Sequence, residues 1–495
     1  MKLKKIRRIL AVVFFLCMTL LFLDVTGVLH HWFGWMAKVQ LLPAVLALNA
    51  AVIIGLVVLT LLFGRIYCSV ICPLGVMQDL FAWFGKRAKK NRYSYSKEVA
   101  WLRYPMLVVL IAAIFLGIGS LVALLDPYGT FGVIANNLLQ PVYQLGNNLL
   151  ASIAERIDSY AFYHVDVWVK SLPVFLIAAG LFILLFILAW RNGRTYCNTI
   201  CPVGTVLSFF SRFSLFKIRF DEGKCRQCSK CTKNCKASCI DFKNHKVDHS
   251  RCVVCGNCVD VCEFGALSYT PLKKKSTAAS LSEAASDGIS RRSFLLTTAL
   301  ATTAALAQEK KKVDGEFAKI EDKVAPERQT PLTPPGSLSA RNMVRHCTGC
   351  QLCVSNCPNG VLRPSSDLLT LMQPLMSYER GYCRPECVRC SEVCPAGAIR
   401  PITKEEKSST QIGHAVWIKK NCLPVTDGVS CGNCARHCPT GAIEMVPMDE
   451  NDEESPMIPA VNEARCIGCG ACENLCPVRP FSAIYVEGHE QHRTI

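Results

Sequence analysis

Acidic side chains are scarce in this chain. Its 495 residues carry 38 Asp and Glu against 55 Lys and Arg, a formal charge of +17. Such an excess leaves two readings, a nucleic-acid partner or a membrane protein with basic inner loops. Charged residues of both signs make up only 19%, against 51% hydrophobic and a mean hydropathy of +0.26. That points to membrane spans beside a soluble part. Histidine is missing where a membrane haem would need it. None of the ten lies inside a long apolar run, and His30 and His31 only reach the edge of the first, which argues against a bis-His haem in the bilayer. Cysteine, in contrast, is abundant. Thirty cysteines are too many for an ordinary cytosolic enzyme. The chain is also too long and apolar for a small disulfide-stapled secreted domain.

Four apolar runs, residues 9–29, 39–63, 105–125 and 172–190, are long enough for transmembrane helices, which take about 20 residues. Lys and Arg set their orientation. Lys2, Lys4, Lys5, Arg7 and Arg8 precede the first run, and Arg65, Lys86, Arg87, Lys89, Lys90, Arg92, Lys97 and Arg103 follow the second. The other two loops hold only Lys38, Arg156 and Lys170. The positive-inside rule then puts the N-terminus in the cytoplasm, residues 126–170 in the periplasm, and the chain back in the cytoplasm at Arg191. The expected architecture is multidomain. An all-α four-helix transmembrane domain (1–220) is followed by a first cysteine-rich block (221–270), a linker (271–340) and a second cysteine-rich block (341–495).

Residues 1–220 hold five cysteines and residues 221–495 hold twenty-five, of which 24 fall into six quartets. Four have the spacing C-x2-C-x2-C-x3-C: Cys225, Cys228, Cys231, Cys235; Cys252, Cys255, Cys258, Cys262; Cys347, Cys350, Cys353, Cys357; and Cys466, Cys469, Cys472, Cys476. Cys383, Cys387, Cys390, Cys394 open with x3, and Cys422, Cys431, Cys434, Cys438 open with x8. Three closely spaced cysteines wrap three corners of a [4Fe–4S] cubane, and the fourth reaches a neighbouring cluster. Six [4Fe–4S] clusters are therefore expected, in α+β bacterial ferredoxin-like modules, one with two clusters and one with four. In the first block one cluster falls on Cys225, Cys228, Cys231 and Cys262, the other on Cys252, Cys255, Cys258 and Cys235. Zinc needs only four ligands, usually as two separated pairs, and cysteines this crowded pair poorly as disulfides. The proline that commonly follows the last ligand is absent after Cys235 and Cys262. Cys239 is either a substitute ligand for Cys235 or a spare thiol, and Cys17 lies in the first apolar run.

A repeat joins the second and fourth runs. The segments from Gly64 to Gly75 and from Gly193 to Gly204 match at a constant offset of 129. Cys68, Cys72, Pro73 in one correspond to Cys197, Cys201, Pro202 in the other. Such a repeat implies two similar helix pairs facing each other, with cysteines at i and i+4 on one helix face. Placed at the inner membrane face, the four cysteines could hold a further metal or iron–sulfur centre, act as redox thiols, or simply pack. Arg65 and Arg194 are candidate helpers for thiolates or a reduced quinone oxygen, and equally ordinary positive-inside anchors.

On these motifs, residues 1–270 resemble the NapH-type membrane quinol dehydrogenase subunits, whose core is shared with NosR-like proteins and CcoG-type oxidase assembly factors. Residues 290–495 resemble the NapG-type four-cluster polyferredoxins, which begin with a twin-arginine signal. The matching segment is Ser290-Arg291-Arg292-Ser293-Phe294-Leu295, with an apolar stretch to Ala307. The resemblance implies a bacterial inner-membrane, multi-pass protein. Quinol or menaquinol would be its substrate and a periplasmic reductase or its cytochrome its partner, with the polyferredoxin exported; the charge of +17, read as positive-inside loops plus compensation for buried negative clusters, leads to the expectation of no nucleic-acid partner. It also implies that the first and last quartets of the second block share one fold and the middle two another, with pairing of neighbours as the alternative. Two other functions stay open, a CcoG-like metal-reducing assembly factor and a cytoplasmic ferredoxin wire between a soluble reductant and the membrane.

Overall fold

The computed structural model describes residues 2–24, 27–88, 91, 93–159, 161–271, 321–449 and 455–495. The twin-arginine-like segment at 290–307 lies outside them. Among the described residues, two helices are long and apolar enough to cross a membrane, Lys4–Leu23 within α1 (Lys2–Leu23) and Leu172–Asn192. The other two apolar runs give shorter helices, α2 (Ala50–Phe63) and α4 (Ala100–Leu116), with α3 (Pro73–Arg87) between them in sequence. At 1.5 Å per residue these two reach about 21 and 26 Å, short of a hydrocarbon core of about 30 Å. The expectation of four full spans is thus met by two. The second run is interrupted at Leu48, whose φ is 52°, and restarts where Asn49 caps α2 by accepting from the Val52 N–H. The third breaks at Gly117, before a short helix, Gly119–Leu125.

The four apolar helices still point large hydrophobic side chains outward: Ile9, Val13 and Leu16; Ile54; Val108 and Ile111; Leu176 and Ile187. Soluble domains rarely leave such stripes uncovered, so the helical part has the surface of a membrane-associated domain. Inside it lie α5 (Pro127–Ile134), buried along its whole length, then a π-helical turn at Ala135–Leu139 and α6 (Gln140–Glu155). After α7 (Leu172–Asn192) comes α8 (Pro202–Ser211).

The first cysteine block is closed by an antiparallel pair, β1 (Phe216–Phe220) and β2 (Leu267–Pro271). In the second block, β3 (Leu362–Pro364) pairs with β4 (Pro374–Met376). Likewise β5 (Thr410–Trp417) pairs with β8 (Ile484–Thr494), and β6 (Ile443–Pro447) with β7 (Met457–Val461). β5 and β8 bracket the last two quartets as β1 and β2 bracket the first two.

The two blocks dock at opposite ends of α1. Near its start, Lys4 pairs with Asp260 of the first block at 2.6 Å. Near its finish, Asn356 of the second block donates to the Leu21 carbonyl at 3.2 Å. The Lys4 end is the basic end, and the Leu21 end is the far end. At the far end Asn136 and Asn137 donate to the Gln351 side-chain oxygen at 2.7 and 2.9 Å. The π-turn that carries both asparagines aims them at the second block.

Candidate metal centres

The quartets are built by a repeated local turn. In all four with regular spacing, the residue after the second cysteine has positive φ: Ser229 58°, Gly256 72°, Gln351 61° and Gly470 78°. Each then caps a short helix carrying the third cysteine. The two variant quartets do without this turn, since Val388 and Gly432 have φ of −112° and −157°. Their altered spacing replaces the sharp reversal.

In the first block Cys225, Cys228, Cys231 and Cys262 line one pocket. Cys235 lies with Cys252, Cys255 and Cys258. In the second block neighbours exchange their last ligands. Cys394 sits with Cys347, Cys350 and Cys353, and Cys357 with Cys383, Cys387 and Cys390. Cys476 lines a pocket with Cys422, Cys431 and Cys434, and Cys438 lines another with Cys466, Cys469 and Cys472. The nesting carried over from the resemblance, first with last and middle with middle, is therefore corrected. The physical reason is that β5 pairs with β8 and closes quartets three and four into one unit. That leaves the first two to pair through the packed helices Leu352–Ser355 and Arg389–Val393.

The sites run on from one another. The Cys383 N–H donates to the Cys469 carbonyl at 2.9 Å, and Tyr378 packs on Gly470 beside both. Burial pushes the Cys350 and Cys469 thiols up to about 12 and Cys434 up to about 11. Metal-free, these thiols keep their protons, and iron would displace them. Among the described residues no three His, Cys, Asp or Glu side chains close to the spacing of a single metal ion. The four cysteines gathered at each site match the four-thiolate donor sets of clusters. Cys239 stands 3.6 Å from Cys235, sulfur to sulfur. With Cys235 as the thiolate, the Cys239 thiol is the donor and pulls Cys235 down.

The repeated cysteines Cys68, Cys72, Cys197 and Cys201 are all buried, and each pair flanks a helix break. Cys68 is in the short helix Tyr67–Val70, Cys72 caps α3 and Cys201 caps α8. Pro73 and Pro202 start those helices because proline has no N–H to give to the preceding turn. The expected single helix face is thus replaced by a bend with a helix N-terminus at it. The repeat cysteines lie beside the first block: Asn198, next to Cys197, donates to the Ala237 carbonyl at 3.2 Å, and Arg65 donates to the Ser250 carbonyl at 2.9 Å. Gly85 of α3 packs on the Trp190 carbonyl near the finish of α7, and Lys86 donates to Asn234 of the first block. The cysteines are therefore buried in the helical domain where it meets the first block.

The two repeat copies clasp each other. Arg194 donates to the Cys68 carbonyl at 2.6 Å, and Arg65 to the Cys197 carbonyl at 3.2 Å. A Cβ on Gly75 would strike the Cys68 carbonyl and the Arg194 guanidinium, and one on Gly204 the Cys197 carbonyl and Arg65. Both arginines have no solvent exposure, so they are not membrane-surface anchors. Arg194, Lys236 and Arg7 all pair with Asp79, at 2.7, 2.8 and 3.3 Å. Sequence reasoning missed Asp79 and Arg103. The only available signal was a lone carboxylate in an apolar helix. Cys17 packs at the edge of the core and takes no part in the cage.

One further cavity, of about 460 Å³, lies at the far end between His30, His31, Arg389 and Glu392. The helix that carries Cys390 forms one wall.

A family model for a 4Fe–4S binding domain matches residues 46–92 and 172–221. Those segments contain Cys68, Cys72, Cys197 and Cys201 and no other cysteine. Two models for 4Fe–4S dicluster domains match residues 429–479 and 248–361. The chain resembles the NapH-like ferredoxin-type proteins. Over 237 residues it is 28% identical to the ferredoxin-type protein NapH of Escherichia coli, 46% of this chain and 69% of that one. Over 151 residues it is 31% identical to the methylamine utilization ferredoxin-type protein MauM of Methylobacillus flagellatus, 30% of this chain and 64% of that one. An uncharacterized protein of Methanocaldococcus jannaschii is 38% identical over 92 residues, 18% of this chain and 36% of that one. The chain thus covers less than two thirds of two of these three. No solved structure matches. The matched models support 4Fe–4S binding domains in this chain, and the relatives it resembles are ferredoxin-type proteins. The match at 248–361 joins two quartets that the fold holds at opposite ends of α1, so adjacency in sequence does not give adjacency in space.

Proposed function

We propose that the chain is a membrane-bound quinol dehydrogenase component that takes electrons from (mena)quinol and delivers them to a periplasmic reductase or its cytochrome. The observation that carries this reading is the docking of two ferredoxin-type blocks at opposite ends of one apolar helical domain. The six quartets would each hold one [4Fe–4S] cluster, which supplies a one-electron site when bound. The chain's own residues set the order. From the far-end membrane contact the path runs past Cys347 and its partners, then the Cys383, Cys466 and Cys422 groups. The far-end cavity offers His30, His31 and Glu392 as hydrogen-bond partners for quinol hydroxyls beside Cys390. The His30 Nδ1 is buried with no partner among the described residues.

In this reading the basic end faces the cytoplasm and the second block is exported through its internal twin-arginine signal. A reporter fused after Ile495 tests that, and activity only of a cytoplasm-restricted reporter would sink it. The main test is reduction of the purified protein in liposomes by a menaquinol analogue, followed by EPR. Clusters that dithionite reduces but quinol does not would overturn the quinol assignment.

A second reading is favoured by one observation. Cys228 is exposed, in the pocket it lines at the basic end. Electrons could enter there from a soluble cytoplasmic donor.

A further inference from the structure

We infer that two residues of the helical domain, Tyr128 and Lys170, are positioning residues for the first two centres of the second block. Tyr128 donates to the centre of Cys347, Cys350, Cys353 and Cys394 and raises its reduction potential. Lys170 raises the potential of that centre and of the neighbour bearing Cys357 through its charge. Docking on the membrane domain thereby makes these two centres the better electron acceptors of the block. This rests on the electron-carrier reading and deepens it, with two residues outside every segment that a family model matches.

Four observations meet here. The first is a hydroxyl without a partner. Tyr128 opens α5, where the Asp126 carboxylate accepts from the Tyr128 and Gly129 N–H groups at 3.2 and 2.8 Å. Its ring lies against Phe22, 6.1 Å between centroids. The residue is 1% exposed, and its hydroxyl has no hydrogen-bond partner among the described residues. Within its electrostatic reach are Cys350, Cys394 and Cys353, three of the four thiols of one site. A buried O–H without an acceptor is costly. The sulfur of a bound cluster would supply the acceptor.

The second is close approach. A Cβ on Gly129 would strike the Thr348 carbonyl, and one on Gly132 the Cys350 carbonyl. A Cβ on Gly349, in the cysteine loop itself, would strike Ala123 of the helix before α5. Glycine at these positions lets α5 lie against the loop that carries the first two cysteines.

The third is charge. The Lys170 ammonium turns inward and donates to the Asn136 and Gln140 side-chain oxygens at 2.9 and 3.0 Å. Those amides reach on to the second block, Asn136 to Gln351 at 2.7 Å and Gln140 to the Ser355 carbonyl at 3.3 Å. Gln351 stands between Cys350 and Cys353 in the chain. No carboxylate pairs with Lys170 among the described residues, and the ionisable groups that bear on it are Cys357 and Cys353. These two belong to the two different centres. An inward ammonium held by amides alone calls for a counter-charge, and thiolate-ligated clusters of about −2 charge supply it.

The fourth is anchorage. Trp168, two residues before Lys170, takes two guanidiniums of the second block over its ring, Arg363 at 4.7 Å and Arg380 at 4.5 Å from the centroid. Cation–π attraction ties the segment before α7 to the block that Lys170 faces. Hydrogen bonds to cluster sulfur and nearby positive charge both favour the reduced, more negative state. Neither residue is oxidised or reduced, and their protons stay in place as an electron enters and leaves.

The test uses the full-length protein purified from membranes, titrated with dithionite and followed by EPR, with iron per chain measured alongside. The two centres are those whose signals Cys347→Ala and Cys383→Ala remove. Tyr128→Phe is expected to make the Cys347 centre about tenfold harder to reduce, about 59 mV for one electron. Iron and the Cys383 centre stay unchanged. Lys170→Gln is expected to lower both midpoints, and Lys170→Arg to restore them. Tyr143→Phe, at an exposed position on α6, is the control and moves neither. Unchanged midpoints in Tyr128→Phe and Lys170→Gln overturn the proposal, as does an equal shift of every centre. Should Lys170→Gln fail to fold, Tyr128→Phe decides, since it removes one hydroxyl only. Failure of a menaquinol analogue to reduce any centre would remove the quinol assignment and leave these midpoints standing.

Discussion

The six quartets and the four-cysteine cage solve the same problem in different ways. A quartet takes three ligands from a run of seven to thirteen residues and borrows only the fourth. In the four regularly spaced quartets its shape is fixed by one local turn, as at Gly256 or Gln351. The cage draws two cysteines from each of two segments 129 positions apart, and no local turn brings them together. Buried arginines, helix N-termini and glycine contacts do so instead. Local sites tolerate exposure, as at Cys228, whereas the cage is buried throughout. The difference teaches that a site made by chain spacing stands on its own turn, while a site made by tertiary contact depends on its counter-charges.

The comparison can be broken most severely at a borrowed ligand. Cys394→Ala is expected to remove the same EPR signal as Cys347→Ala, with loss of about four irons per chain. If it instead matches Cys383→Ala, the exchange of last ligands is wrong. Next in size is Asp79→Ala. It leaves Arg194, Lys236 and Arg7 without their shared carboxylate and is expected to cost about 3–5 kcal/mol. The thermal unfolding midpoint in detergent should fall, with iron lost from the cage before the quartets. Simultaneous loss from all sites would erase the distinction between local and distributed construction.

A smaller effect is expected from Gln351→Ala. It strips Asn136 and Asn137 of their shared acceptor, at about 1–3 kcal/mol. Hydrogen exchange should speed up at the far-end interface and not at the basic end. The smallest is Cys239→Ala. It removes the thiol donor to Cys235 and should leave iron content unchanged while lowering the potential of one first-block centre, since hydrogen bonds to cluster sulfur raise it. Loss of iron would make Cys239 a ligand.

The quartets were legible because their ligands obey local spacing, and the ligand exchange in the first block could be read from the same rule. The pairing in the second block could not. It depends on β5 meeting β8 across 66 residues, and strand pairing at that distance leaves no mark in cysteine spacing. The repeat at Cys68 and Cys197 was visible, and its contacts with Ser250 and Ala237 put it beside the first block. Arg65 and Arg194 look like surface anchors when counted as loop charge, and only their burial reveals an internal role. The apolar runs were found by hydropathy. Their interruptions at Leu48 and Gly117 were not, because hydropathy averages over the few residues whose backbone angles end a helix.

The sequence by itself determined the chemistry: thiolate quartets of cluster spacing, an apolar domain, and a basic end. Those properties reside in residue type and short-range spacing, which need no fold to be read. Tertiary structure alone decided the order of the sites, the two blocks at opposite ends of α1, and the cage beside the first block. Each depends on groups distant in sequence meeting in a buried place, where an unpaired charge is costly enough that Asp79 and the arginines around it had to be arranged together.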